Sequence, residues 1–240
     1  MMPLPMRSIF LLAIAIVLTG CTPERPAVPE QPKVPAPEAV EMPADAAGVW
    51  QVNDENGEPF DLVLFPGGQV VSNWTKGSGK ARGERGFWRM LGGRILVLFD
   101  DGWTDVLSAG EQGFVHAGFA PAVSPDSEKP TNTSHAIRFE KPEAAFVGVW
   151  RLNREPDGNY QYLNLKSTGT AMSTVGGGTE GRWELVGDAA RCTWPDGWVD
   201  QIARVDGAWQ KTSWVGAESG THADLSPASR VGETRFSVDP

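Results

Sequence analysis

From residue 47 onward, apolar residues run in stretches of five to seven, broken by Gly, Asn and Asp. Short runs bounded by turn residues are the signature of strands. Helical periodicity is absent beyond the first twenty residues. The pattern predicts strands in the first half near 48–53, 60–65, 69–74, 85–91, 94–100, 103–109, 112–119 and 134–140. Asp101-Gly102 between two of these runs is a strong two-residue hairpin signal, because Gly tolerates positive φ. Pro66-Gly67-Gly68 and Leu91-Gly92-Gly93 mark further turns.

The same pattern is written twice. Gly48-Val49-Trp50 recurs as Gly148-Val149-Trp150, and residues 86–119 align without a gap on 181–214, an offset of 95. Gly86/Gly181, Trp88/Trp183, Gly92/Gly187, Asp101/Asp196, Gly102/Gly197, Trp103/Trp198 and Asp105/Asp200 are identical. Leu64 and Gly68 match Leu165 and Gly169 at an offset of 101, so copy one carries six extra residues between Ser72 and Gly86. Repeats of this kind define modules. The expected fold class is all-β: two tandem small antiparallel up-and-down β-barrels, or sandwiches, of about 95 residues each. The expected organisation is a leader over 1–20, a linker over 21–46, copy one over 47–141, copy two over 146–233 and a tail over 234–240.

A one-residue step along a strand switches sheet face, so the copies can be read against each other. Ile95, Val97 and Phe99 match Ala190, Cys192 and Trp194; both sets are apolar and mark the core face. Trp88 and Met90, matched by Trp183 and Leu185, are assigned to the core as well. Cys192 then reads as an inert buried thiol. On the opposite face, Phe87, Leu96 and Leu98 of copy one stand where copy two has Arg182, Arg191 and Thr193. They form a candidate apolar patch, expected first to pack between the two modules and second to meet a partner or ligand.

The beginning of the chain carries a different signal. Arg7 is the only charge among residues 1–20, and residues 9–18 form an apolar run too short for a bilayer span, which needs about 20 residues. Leu18-Thr19-Gly20-Cys21 follows. This resembles the bacterial lipoprotein signal and its lipobox. The resemblance implies cleavage before Cys21, acylation of Cys21 and a lipid anchor in the cell membrane. Thr22, which is not an inner-membrane-retaining Asp, favours the outer membrane of a diderm bacterium. Residues 22–46 hold seven prolines, the first five spaced by three. That is the period of polyproline II, which predicts an extended stalk reaching at most roughly 80 Å.

Lys+Arg is 21 against Asp+Glu 30, a net charge of −9. Such a chain lacks the basic footprint of a general nucleic-acid binder. Against that background Lys76, Lys80, Arg82, Arg85, Arg89 and Arg94 gather with only Glu84 among them, a candidate anion contact. Asp-Gly-Trp-x-Asp is the sharpest motif. Its Asp-Gly is turn chemistry, and Trp103 and Trp198 are expected to start core strands. Asp105 and Asp200 share a strand face with Trp103 and Leu107, and with Trp198 and Ile202. A carboxylate on such a face must be paired, hydrogen-bonded or open to a pocket. Asp105, Asp200, Trp103 and Trp198 are therefore the candidate ligand residues. His116, His135 and His222 do not recur between copies, and His116 aligns with Lys211. No metal or cofactor is expected, and no nucleophile–base constellation points to an enzyme.

The opening Gly-x-Trp followed by an antiparallel meander is similar to lipocalin-type (calycin) barrels, and more weakly to the barrels of bacterial metalloprotease inhibitors. The inhibitors' paired cysteines are missing here. The expectation is a membrane-anchored envelope lipoprotein whose duplicated β modules bind an envelope protein or glycan, or serve structurally, without catalysis. A lipocalin-like small-ligand carrier and an envelope protease inhibitor are the alternatives.

Overall fold

The computed structural model describes residues 41–74, 82–126, 129–154, 158–175, 178–216 and 224–233. The leader, Cys21, the stalk as far as residue 40, Lys76, Lys80, His222 and the tail over 234–240 lie outside the described residues. Residues Pro37–Pro240 form one compact unit. Every described strand and both apolar cores fall within it.

Barrel one is built from β1 (Gly48–Asn53), β2 (Pro59–Leu64), β3 (Gln69–Ser72), β4 (Glu84–Leu91), β5 (Arg94–Phe99), β6 (Thr104–Gly110), β7 (Gly113–Phe119) and β8 (Asn132–Phe139). Each strand pairs antiparallel with the next, and β1 also pairs with β8, which closes the sheet. A 3-10 turn over Pro142–Ala145 leads into the second sheet. That sheet contains β9 (Gly148–Arg154), β10 (Tyr160–Leu165), β11 (Thr170–Ser173), β12 (Thr179–Val186), β13 (Ala189–Thr193), β14 (Trp198–Val205), β15 (Ala208–Val215), β16 (Asp224–Pro227) and β17 (Ser229–Arg230). β16 pairs with β15 and β17 with β9, so two short strands do here what β8 does alone in barrel one. The break falls at Ala228, directly after Pro227, whose nitrogen has no hydrogen to give a ladder.

The repeated Asp-Gly builds the same hairpin twice. Gly102 and Gly197 take φ of 92° and 86°, a conformation that favours glycine. Asp101 Oδ1 accepts from Trp103 N and Asp196 Oδ1 from Trp198 N, both at 3.1 Å. The repeated Gly-Val-Trp plugs the other end of each sheet. Trp50 and Trp150 are fully buried, and their Nε1 atoms donate to Ala46 O at 3.0 Å and Phe146 O at 2.8 Å. Trp50 meets the edge of Phe114, and Trp150 that of Trp209, with ring centroids 5.1 and 4.9 Å apart. Phe114 and Trp209 are themselves related by the offset of 95.

The outward faces of β1–β3 are not exposed, because barrel two covers them. Val49, Val63, Phe65 and Val71 join Val147, Val149 and Leu163 in one apolar cluster. Inside it sits a polar lock. Asp61, 1% exposed, accepts from Ser167 Oγ at 2.5 Å, Ser167 N at 2.9 Å and Asn73 Nδ2 at 2.6 Å. Gln51 Nε2 donates to Ser167 Oγ at 2.7 Å, and Asn164 Nδ2 to Asn73 O at 3.0 Å. Burial is the largest influence on the Asp61 carboxyl and raises it above its usual range, against the hydrogen bonds from Ser167 and Asn73 that pull it down. Arg230 reaches across the same seam: its guanidinium lies 5.4 Å over the Phe65 ring and donates to the carbonyls of Ala144 and Val147. Its burial lowers its pKa to about 10.

One core assignment and one packing assignment need correction. Ile95, Val97, Ala190 and Cys192 are buried as expected, but Met90 is exposed because β4 overshoots the barrel at its hairpin tip. Trp88 is half-buried and packs against the core of barrel one, its Nε1 donating to Phe65 O at 2.8 Å. Phe87, Leu96 and Leu98 do not pack between the modules. Phe87 is 64% exposed, and the seam is made by β1–β3 and the segment before β9 instead. The missed signal was Asp61-x-Val63-x-Phe65, an outward row too apolar for a solvated face.

Candidate functional site

At the end opposite each tryptophan plug, an inward carboxylate lies below the mouth of the barrel. Asp105 sits on β6 and Asp200 on β14, and both side chains are buried. Strand alternation puts them there: each is two residues beyond the Asp-Gly hairpin tryptophan, on the face that continues into Leu107 and Ile202.

Asp200 is held by three groups. Trp194 Nε1 donates to Oδ2 at 2.8 Å, Ser213 Oγ donates to Oδ1 at 2.5 Å, and Lys211 Nζ lies 3.7 Å from Oδ1. Lys211 is itself buried, so this is an ion pair inside a low-dielectric mouth rather than a surface contact. The pair lines a cavity of about 300 Å³. Asn153, Gln161, Ser173 and Ser213 add amide and hydroxyl groups to its walls, and Trp194 and Trp198 add aromatic surface. Trp198 starts β14 as expected but is 38% exposed, a rim residue rather than a core one. The Asn153 Oδ1 atom is buried without a hydrogen-bond partner among the described residues. The volume is at the lower end of small-molecule sites, about 300–1,000 Å³.

The mouth of barrel one has the same frame and different contents. His116 Nε2 lies 3.3 Å from Asp105 Oδ2, close enough for charge attraction but off the line of a hydrogen bond. Its Nδ1 lies 3.1 Å from Ser134 Oγ. The remaining cavity is about 40 Å³. Phe60 and Trp74 fill the space, with Phe60 packed against His116 at 6.1 Å between ring centroids and against Trp74 at 6.3 Å. At the offset of 101 these two aromatics correspond to Gln161 and Val175, both lining the larger cavity of barrel two. Trp103 borders the smaller cavity and is half-buried; it precedes β6 rather than starting it.

The four candidate ligand residues thus fall into two separate sites, Asp105 with Trp103 and Asp200 with Trp198. Sequence reasoning missed His116 and Lys211 as their partners. The signal was present: the two align at the offset of 95, and both are cations or potential cations facing a repeated carboxylate. Among the described residues, the group paired with Asp105 is His116. Cys192 is completely buried beside this site, and burial, with Asp200 nearby, pushes its thiol well above the usual range. Phe87, Leu96 and Leu98 lie on the outer face of barrel one, and of the basic cluster Arg82, Arg85, Arg89 and Arg94 are described.

A more open hollow of about 470 Å³ lies at the seam between the barrels. Its two arginines are committed to structure: Arg138 Nη2 donates to Ala47 O at 3.0 Å, and Arg230 to Ala144 O and Val147 O. Comparison with family models, curated proteins and solved structures finds no match to this chain. The fold and the sites together define a tandem pair of antiparallel barrel-like sheets, one with an open polar mouth and one with a filled one.

Proposed function

We propose that this protein is a membrane-anchored envelope lipoprotein with a non-catalytic binding role, and that barrel two carries the binding site. The observation behind the reading is the cavity of about 300 Å³ around the buried Asp200–Lys211 pair. A buried ion pair at the floor of an open mouth costs desolvation unless other polar groups complete its hydrogen bonding. Here the rest of the lining is mostly amide, hydroxyl and indole, with Asp196 and Val175 completing it. That combination suits a sugar ring: hydroxyls bond to Asp200, Lys211 and the amides, and the ring face lies on Trp198. An envelope glycan fragment is therefore the favoured ligand class. Barrel one, with its mouth filled by Phe60 and Trp74, serves as the platform on which barrel two is held.

The anchor reading stands on Leu18-Thr19-Gly20-Cys21. Mass spectrometry of the protein from a bacterial envelope checks it: the expected mature chain begins at an acylated Cys21, and an uncleaved or unacylated chain contradicts it. The binding reading is tested by tryptophan fluorescence of residues 37–240 against peptidoglycan fragments, neutral oligosaccharides, fatty acids and acidic lipids. A saturable shift with a soluble glycan, lost in Trp198→Ala with the melting curve retained, is the expected result. A fatty acid giving the only saturable shift would move the reading to a lipocalin-like carrier of apolar ligands.

A further inference from the structure

One face of barrel one is not explained by folding or by the cleft. β4 turns Arg85, Phe87, Arg89 and Leu91 outward, and β5 turns Arg94, Leu96 and Leu98 outward. The strand register sets Phe87 opposite Leu98, Arg89 opposite Leu96 and Leu91 opposite Arg94. Two of these three pairs set a cation against an apolar side chain, and the third, Phe87 with Leu98, is wholly apolar. Phe87, Leu91 and Leu98 are 64%, 45% and 43% exposed, and Arg89 is exposed beside them. A groove of about 180 Å³ runs between Leu96 and Leu98 on this face and Pro125 and Asp126 of the turn after β7. Asp126 is paired with Arg94 at 2.9 Å. The outward positions of β4, β5 and β6 carry no carboxylate.

Barrel two shows that the architecture does not require such a face. At the matching positions Arg85 and Arg89 become Glu180 and Glu184, so the sign of charge reverses. Phe87, Leu96 and Leu98 become Arg182, Arg191 and Thr193. The same strands in the same register fold with an ordinary mixed-charge surface. In a chain of net charge −9, the cationic and apolar character of the first copy is local.

We infer that this face of barrel one rests on the anionic bilayer surface to which the proposed anchor ties the chain. The inference rests on the membrane reading above. Phospholipid phosphates attract Arg85, Arg89 and Arg94, and the attraction falls off within a Debye length. Phe87, Leu96 and Leu98 form a small apolar cluster flanked by Arg85, Arg89 and Arg94, a pattern suited to shallow insertion at the headgroup boundary. Arginine stems lie along apolar surface while the guanidinium stays with the phosphates. An acidic protein approaching an anionic surface is repelled everywhere except at such a face, so the contact also fixes orientation.

The test uses residues 37–240, the compact unit, so that neither leader nor acyl chain contributes. Vesicles of phosphatidylcholine alone are compared with vesicles containing phosphatidylglycerol, at low and high salt, by co-sedimentation. The expected result is binding to the anionic vesicles only, weakened by salt. Arg85→Glu/Arg89→Glu, which installs the carboxylates of barrel two, and Phe87→Ser/Leu98→Ser each lower the partition coefficient by roughly tenfold or more. Glu180→Gln/Glu184→Gln on the matching face of barrel two leaves it unchanged. Arg85 is half-buried and the other positions are exposed, and circular dichroism checks that each variant keeps its sheets. Equal binding by parent and both barrel-one variants overturns the inference. So does absence of vesicle binding, whether or not the parent self-associates through this face in sedimentation velocity. Because the acyl group is absent, failure here leaves the anchor reading to its own mass-spectrometric test.

Discussion

Asp105 and Asp200 occupy the same place in two copies of one architecture, yet each of their neighbours has changed. Around Asp200 stand Trp194, Ser213 and Lys211; at the matching positions around Asp105 stand Phe99, Gly118 and His116. The indole donor, the hydroxyl donor and the ammonium have been replaced by a ring without a donor, a residue without a side chain and an imidazole. Over the same distance Gln161 and Val175 are replaced by Phe60 and Trp74, and the cavity shrinks from about 300 to about 40 Å³. The strands, hairpins and tryptophan plugs are shared. The comparison teaches that the sheet is the conserved frame and the mouth is the variable part, which is where a binding function on a duplicated barrel can be gained or lost.

The strongest way to test the shared frame is at the plugs. Trp50→Ala and Trp150→Ala each remove a fully buried indole and its hydrogen bond, and each is expected to cost roughly 3–5 kcal/mol in denaturant unfolding. A large loss in one copy and none in the other would mean that the two sheets do not depend on the same plug.

The mouths should then respond unequally. Asp200→Ala removes the carboxylate from a buried ion pair and takes the acceptor from the Trp194 and Ser213 donors, and is expected to cost roughly 3 kcal/mol or more. Asp105→Ala removes a carboxylate that accepts no hydrogen bond from His116, whose Nδ1 keeps its contact with Ser134 Oγ, and should cost about 1 kcal/mol. Thermal or urea melts of the two variants side by side check this. Equal losses would remove the distinction drawn between the two pairs.

A smaller, pH-dependent effect belongs to the seam between the copies. The folded-state pKa of Asp61 is raised above 3.8, chiefly by burial. The folded chain therefore holds this proton more tightly than the unfolded chain. The resulting stability is fully present below about 3.8 and is lost as pH rises through the raised value. Asp61→Asn removes this titration. Melting curves across the acid range should show the parent losing stability relative to the variant as pH rises, and a gap constant with pH would contradict it. Smallest of all, Cys192 in the folded chain should not react measurably with a thiol reagent at neutral pH, and should react once urea unfolds barrel two.

Much of the frame was legible in the sequence because strand alternation and Asp-Gly turns are local. Ile95, Val97 and Phe99 could be assigned inward by comparing them with Ala190, Cys192 and Trp194. Asp105 and Asp200 stood out for the same reason, as carboxylates in an inward row. What the sequence did not yield was long-range. His116 lies on β7 and Phe60 on β2, and nothing in their own neighbourhoods places them beside Asp105. The seam was misassigned because an apolar outward face can be covered by a module or left open. Phe87 and Val63 look alike in a sequence, and only the placement of the second barrel separates them. Alternation assigns Met90 to the core, because alternation alone does not say where a hairpin overshoots its barrel; the β3 pairing of β4 ends at Phe87.

The central claim is that barrel two binds in its mouth because that mouth is open, and that barrel one does not because its mouth is filled. Gln161→Phe places the aromatic of barrel one into barrel two without adding a tryptophan. Tryptophan fluorescence of parent and variant would be titrated with the disaccharide of N-acetylglucosamine and with peptidoglycan fragments. The account predicts a saturable change in the parent that falls at least roughly tenfold in affinity in Gln161→Phe, with the melting curve kept. A saturable change that survives the substitution, or that is lost instead in Phe60→Ala of barrel one, would place the site elsewhere and contradict the account.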